Sequence, residues 1–295
     1  ISHRGLTREL DRERLLPNAH IEDPTMLTHT PRDQLLALPK YDRIAIYLFR
    51  ELTEGMGADA LPLGRELEFD QEDVRKAMRK AVADKVIDTE VANVPDIKYT
   101  YDARRELPAE IEQCGPMTWL QRGKGKYRLR RTRRKNVIDF PGVLEQEPPL
   151  EIELDQTPPF IKALLGNDEQ AVFTRVRNVG LLSKVLGFMA WPIQGHHRTT
   201  VSYGQIEVDE VQAGLDGGEG TLVPISGKGG QDKLSWSQAL NLNTYASEKP
   251  PMPGIKVRSI GLWRDALNTI WIVEFSPHTD IDEIEIVNVR RFKFQ

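Results

Sequence analysis

Two short stretches carry residue types able to do chemistry together. Glu207 and Asp209 stand two apart in Gln205-Ile-Glu-Val-Asp-Glu-Val, and Ser226 and Lys228 stand two apart in Leu222-Val-Pro-Ile-Ser-Gly-Lys-Gly-Gly. Alternate residues of a strand share a face. Glu207 and Asp209 are therefore expected to point one way, with Ile206, Val208 and Glu210 pointing the other, and Ser226 and Lys228 to share a face of their own. The intervening Leu215-Asp-Gly-Gly-Glu-Gly has the composition of a tight turn. Pairing the two strands brings a carboxylate pair within reach of an ammonium. Phosphodiester hydrolysis uses that set: hard oxygen ligands hold a divalent cation that acidifies a water, and a cation offsets the charge that grows on phosphorus. The same types on a surface hairpin can equally be a solvated face, so the neighbouring sequence matters.

Just upstream, His196-His197-Arg198 could bind phosphate. Adjacent strand residues point to opposite faces, so joint metal coordination by the two histidines is not expected; Arg198 is the better phosphate contact. Gly227-Lys-Gly-Gly lacks the upstream glycine and the following Ser or Thr of a phosphate loop. Its glycines fit a close approach of helix or DNA to the backbone. Trp236, Trp263 and Trp271 are expected in the core.

The surrounding elements alternate in an α/β manner. A helix over about 168–186, strands over 199–212 and 221–227, a helix over 234–247, and closing strands over 256–262, 269–275 and 283–294 are expected to hold the hairpin. Earlier in the chain the pattern is mostly helical. A short helix starts at Pro31, a longer one runs over about 41–54, and a third is capped by Asp70 and extends to Val86. Residues 95–115 are ambiguous between a loop and a short helix. Residues 117–131 form a second hairpin. Three helices and a hairpin are the order of a winged helix-turn-helix. Pro141, Pro148, Pro149, Pro158 and Pro159 frame a linker with at most a short strand near 150–154. The organisation expected is an arm at 1–30, a winged-helix-like module at 31–140, a linker at 141–160 and an α/β (α+β) domain with a mixed central sheet at 161–295.

Charge supports two different roles. The net charge is −4, yet nine Lys or Arg and no acid lie between Pro116 and Val137. These are Arg122, Lys124, Lys126, Arg128, Arg130, Arg131, Arg133, Arg134 and Lys135. Uncompensated, they would repel one another without a polyanion. Glu145, Glu147, Glu151, Glu153 and Asp155 form an acidic counterpart in the linker. Apolar residues make up 39% of the chain, and no run approaches the ~18 residues of a membrane helix. The single cysteine, Cys114, excludes an internal disulfide and a Cys-based zinc site. With no apolar stretch near residue 1, a cytoplasmic protein is expected.

Asp209, a hairpin, then Ser226-Gly227-Lys228 resembles the PD-(D/E)xK nuclease superfamily, within it the type II restriction endonucleases. Gly195-His-His-Arg-Thr-Thr-Val and Pro224-Ile-Ser-Gly-Lys-Gly-Gly-Gln-Asp-Lys-Leu extend the resemblance over about residues 168–295. It implies a restriction-endonuclease-like catalytic domain, Mg²⁺ as cofactor, Asp209 as a metal-binding acid and Lys228 as the catalytic lysine. It further implies site-specific cleavage of double-stranded DNA, a homodimer and a DNA methyltransferase encoded nearby. Ser226 stands where the family has its second acid, and no proline precedes Asp209. Glu207, Glu169 and Asp232 are the candidates to replace that acid. The competing expectation is a DNA-binding regulator whose nuclease-like domain only dimerises, and a third is a repair or transposon-end nuclease. In the leading reading the basic hairpin contacts DNA, and the helix over 70–86 is a weaker candidate for base contact.

Overall fold

The computed structural model of the chain describes residues 27–295 except Glu145 and Asn167. Most of the expected N-terminal arm thus lies outside the described residues. Residues 27–30 run along the first domain, where Thr28 and Thr30 hydrogen-bond Gln113 and Glu110.

That first domain contains α1 (Arg32–Ala37), α2 (Lys40–Leu52), β1 (Glu66–Asp70), α3 (Gln71–Ala83), α4 (Val94–Ala103), β2 (Met117–Gly123) and β3 (Lys126–Arg131). Its three strands form an antiparallel sheet in the order β1-β3-β2. Asp70 sets the start of α3, as its position in the sequence predicts. Its side chain accepts the N–H groups of Glu72 and Asp73, and Asp73 accepts the Asp70 N–H in return. Ile44 and Leu48 of α2, Val74 and Met78 of α3, Ile97 and Tyr101 of α4, and Trp119 and Leu129 of the sheet share one core. Each such side chain contributes about 1.5–3 kcal/mol on burial. Strand β1 is not among the predicted elements, although Leu67 and Phe69 alternate with outward acidic residues. The segment ambiguous between loop and short helix folds in part as α4.

A short α5 (Phe140–Val143) leads to β4 (Leu150–Glu153), α6 (Pro159–Leu164), α7 (Glu169–Asn178) and α8 (Leu181–Leu186). Next come β5 (Ala190–Val201), β6 (Gly204–Asp216), β7 (Glu219–Lys228) and α9 (Trp236–Glu248). The remaining strands are β8 (Lys256–Val257), β9 (Ser259–Arg264), β10 (Thr269–Phe275) and β11 (Ile286–Phe294). They build a mixed sheet in the order β4-β11-β10-β9-β7-β6-β5, with β8 paired to β7. The β7–β9 and β11–β4 pairs are parallel and the others on this path antiparallel. Trp236 and Trp271 are buried as expected, and Trp263 partly so.

Several expectations change at this level. The proline-framed linker is not free: β4 inside it extends the sheet by pairing with β11. Its acids have partners, Glu151 with Arg290 and Asp155 with Lys162. The long helix over 168–186 is two helices, because Gly180 takes a left-handed φ of +62° that breaks the α7 ladder. The strand expected over 199–212 is the reversal between β5 and β6, with Thr199 paired to Ile206.

The basic hairpin also differs from its expected state. Its cations are largely compensated within the chain. Arg122 pairs with Glu68 at 2.8 Å, Arg128 with Glu66 at 3.1 Å and Lys135 with Glu112 at 3.4 Å. Arg130 reaches Asp280 at 2.8 Å and Asp282 at 3.1 Å, both on the second domain. Arg131 donates to the carbonyls of Pro116 and Thr132. Arg134 lies 3.6 Å over the Trp236 ring and donates to the Ile281 and Ile284 carbonyls. The mutual repulsion that would demand a polyanion is therefore largely absent. Lys124, Lys126 and Arg133 remain exposed, with no side-chain ion pair among the described residues. Sequence distance hid these partners, since Asp280 and Asp282 lie about 150 residues away.

Candidate functional site

Strands β6 and β7 pair antiparallel from Asp216↔Glu219 to Glu210↔Ile225. One step further on, side chains replace the ladder. The Ser226 hydroxyl and the Gly227 N–H both donate to Asp209 Oδ2 at 2.9 Å. Lys228 Nζ lies 3.6 Å from the same oxygen and 3.1 Å from Glu169 Oε2. Asp209 and Lys228 are thus side by side, as the hairpin reading required. Two hydrogen bonds and the Lys228 ammonium converge on Oδ2, and no donor among the described residues meets Oδ1.

Glu169 is the acid that completes this centre. Asp168 caps α7 through the Ala171 N–H, and Glu169 is the first helical residue. Gly227 lets the helix approach: a Cβ there would stand 2.4 Å from the Phe173 ring and 3.3 Å from Glu169 Cγ. Lys228 is 5% exposed. Burial opposes its charge, but Asp209 and Glu169 outweigh burial and hold its pKa above the ordinary lysine value. Glu169 moves up as well. Burial and the negative charge of Asp209 exceed the pull of the single lysine. Two carboxylates share one ammonium, so the centre carries an excess negative charge that a cation would relieve.

Glu207 sits beside this group. It accepts from His196 Nδ1 at 3.2 Å and from Arg198 Nε at 2.9 Å. Burial works against its charge, yet these two donors bring its pKa below the usual carboxylate value. Gln170 Nε2 lies 3.0 Å from His196 Nε2. With the amide donating, the imidazole carries its proton on Nδ1, toward Glu207. His196 holds this bridge at a φ of +46°, a strained conformation for a non-glycine residue. It stands in β5 opposite Asp209, between the Gly195↔Glu210 and His197↔Val208 pairs. The Asp209–Lys228 hairpin was legible in the sequence; the His196 bridge was not, because it depends on a third strand and on α7.

Other expected residues fall elsewhere. Asp232 does not join Asp209. Tyr99 Oη donates to its Oδ2 at 2.6 Å and Arg104 Nε to its Oδ1 at 3.0 Å, so it ties α4 to the second domain. Arg198 is exposed but occupied by Glu207. His197 packs against the Tyr245 ring. Ile206, Val208 and Glu210 do not share surroundings. The first two pack with Leu242 and Tyr245 of α9, whereas buried Glu210 faces Arg177 and Gln212. Beyond Glu210 the strand loses β7 and follows β5 alone.

A cleft of about 240 Å³ opens over the centre. Asp209, Ser226, Lys228 and Glu207 line one side, and Lys98, Tyr99 and Gln121 of the first domain line the other. The donor set suits a hard cation: carboxylate oxygens, without thiols. Among the described residues no group of three or more His, Cys, Asp or Glu forms a ready cage. No helix among the described residues is long and apolar enough to cross a membrane. In comparisons with known proteins, no family model, no curated protein and no solved structure matched the chain.

Proposed function

We propose that this protein is a Mg²⁺-dependent, sequence-specific endonuclease of double-stranded DNA, of the type II restriction kind. The observation carrying this reading is the placement of Lys228 Nζ between Glu169 Oε2 at 3.1 Å and Asp209 Oδ2 at 3.6 Å. In this reading Glu169 supplies the acid that Ser226 lacks. Mg²⁺ held by Asp209 and Glu169 with water would supply an acidified water and neutralise phosphate charge. Lys228 orients the attacking water and offsets negative charge at the phosphate. Ser226 and the Gly227 N–H fix the Asp209 carboxylate. Glu207, held by Arg198 and His196, forms the rim and is the alternative metal acid.

The first domain supports a winged-helix-like, DNA-binding reading through its element order. Helices α2, α3 and α4 with strand β1 between the first two, then the β2–β3 hairpin, follow that pattern. The third helix of the set is then α4, which lines the cleft, and it takes over the base-contact role expected of α3. Lys124, Lys126 and Arg133 are the hairpin cations best placed to meet phosphate. A homodimer would match a palindromic site cut on both strands.

Plasmid cleavage tests the reading. Wild-type protein should cut with Mg²⁺ and not with EDTA, and Lys228→Met and Asp209→Asn should each lose at least about 10²-fold. Undiminished cutting by Lys228→Met would remove the lysine from the mechanism. A second reading, a DNA-binding regulator with an inactive nuclease-like domain, is favoured by one observation: Ser226 spends its hydroxyl on Asp209 where the resemblance expects a metal-binding acid. Such a protein would shift DNA without nicking it.

A further inference from the structure

The cleft beside Asp209 and Lys228 carries more than phosphate chemistry. Gln121 of β2, Gln205 of β6, and Gln238 and Asn241 of α9 all line it. A carboxamide presents a donor and an acceptor side by side, the pattern that meets a base edge, and adenine N6 and N7 most closely. Their capacity is partly unspent. Gln205 is exposed, and its amide has no hydrogen-bond partner among the described residues. Asn241 accepts the Tyr203 hydroxyl on Oδ1 at 2.9 Å, which orients the amide and leaves its NH₂ for a ligand. Gln121 holds only a long 3.4 Å contact to the Gly123 carbonyl. A narrower hollow continues from Lys98, Gln121 and Asn241 toward Arg128 and Tyr203.

The two walls are locked together. Besides the Arg130 and Arg134 contacts, Lys233 N–H donates to the Ala103 carbonyl at 2.6 Å, Val137 bridges Ser235, and Asn136 Nδ2 donates to Ser237 Oγ at 3.2 Å. Leu120, Ile138 and Phe140 share a core with Leu234 and Trp236. A domain fixed in this way cannot recognise DNA at one place while the other cuts at the end of a tether. We propose that the cleft is a base-reading subsite in which Gln205, with Gln121 and Asn241, recognises a base adjoining the scissile phosphate. Recognition and cleavage then fall in the same few base pairs. This inference rests on the nuclease reading for the position of the cut, but not for the reading of the base.

The test separates the two. The full chain selects from a random-sequence DNA duplex library in EDTA, and the ends cut from the same library with Mg²⁺ are sequenced. Gln205→Ala should lose base preference at one position by about tenfold. Gln205→Glu, an acceptor without a donor, should move the preference at that position toward cytosine. That swap would not follow from a merely structural role, and unchanged melting temperatures verify folding. The affected position should lie within a couple of base pairs of the cut. Unchanged preferences in both variants, or an affected base far from the cut, would overturn the subsite while leaving the nuclease reading intact. Altered preference in EDTA without any Mg²⁺-dependent cut would uphold base reading by Gln205 and overturn the nuclease. Failure to bind DNA at low salt would overturn both.

Discussion

Lys228 Nζ donates to Glu169 Oε2 at 3.1 Å, joining a strand residue to the first helical residue of α7 across 59 positions of sequence. The lysine is nearly inaccessible, and its two acidic neighbours are what make its charge tolerable there. Lys228→Met should therefore destabilise the fold by about 3 kcal/mol, because it leaves carboxylates without their cation. Adding Glu169→Gln should recover part of that loss but no cleavage. Urea denaturation of the single and double variants checks this coupling. Strictly additive losses would mean that the pair is not coupled.

The hairpin cations should divide into two groups. Arg130→Ala removes the partner of Asp282, whose side chain is 9% exposed, and should cost about 2–4 kcal/mol of stability. Lys124→Ala with Lys126→Ala should leave the melting temperature alone and flatten the salt dependence of DNA binding. The slope should fall by about one for each phosphate that is no longer neutralised. An unchanged slope would exclude these two lysines as phosphate ligands.

Gly227→Ala should be damaging for a steric reason. The new methyl would meet Phe173 Cε2 at 2.4 Å and Cζ at 2.8 Å, within the packed core beneath the site. An overpacking cost of about 1–3 kcal/mol is expected. Phe173→Leu should relieve part of it in the double variant, measured as a urea midpoint. No relief would place the strain elsewhere.

Stability should also respond to pH through Glu106. Burial, and then the charge of Glu112, push its pKa from 4.5 up to about 7. Since the folded value is the higher one, its contribution is full below pH 4.5 and is lost as pH rises through about 7. The loss is on the order of 2 kcal/mol after allowance for solvent screening. Glu106→Gln should narrow the difference in unfolding free energy between pH 5 and pH 8. An equal difference in the variant would assign the pH dependence to other groups.

Local features of this protein were legible from the order of its residues. Asp70 announced a helix start because a cap is a contact between near neighbours. The turn at Leu215-Asp-Gly-Gly-Glu-Gly fixed the β6–β7 hairpin, and strand alternation set Asp209 beside Lys228. Tertiary structure alone decided which acid joins them. Glu207 had the right spacing, but Arg198 and His196 claim it; Glu169 arrives on a separate helix, admitted by Gly227. The same holds for the basic hairpin. Nine cations in one stretch look uncompensated until the fold brings Asp280, Asp282, Glu66 and the Trp236 ring against them. Charge is a property of composition, whereas its compensation depends on distances of a few ångströms that only the packed chain sets.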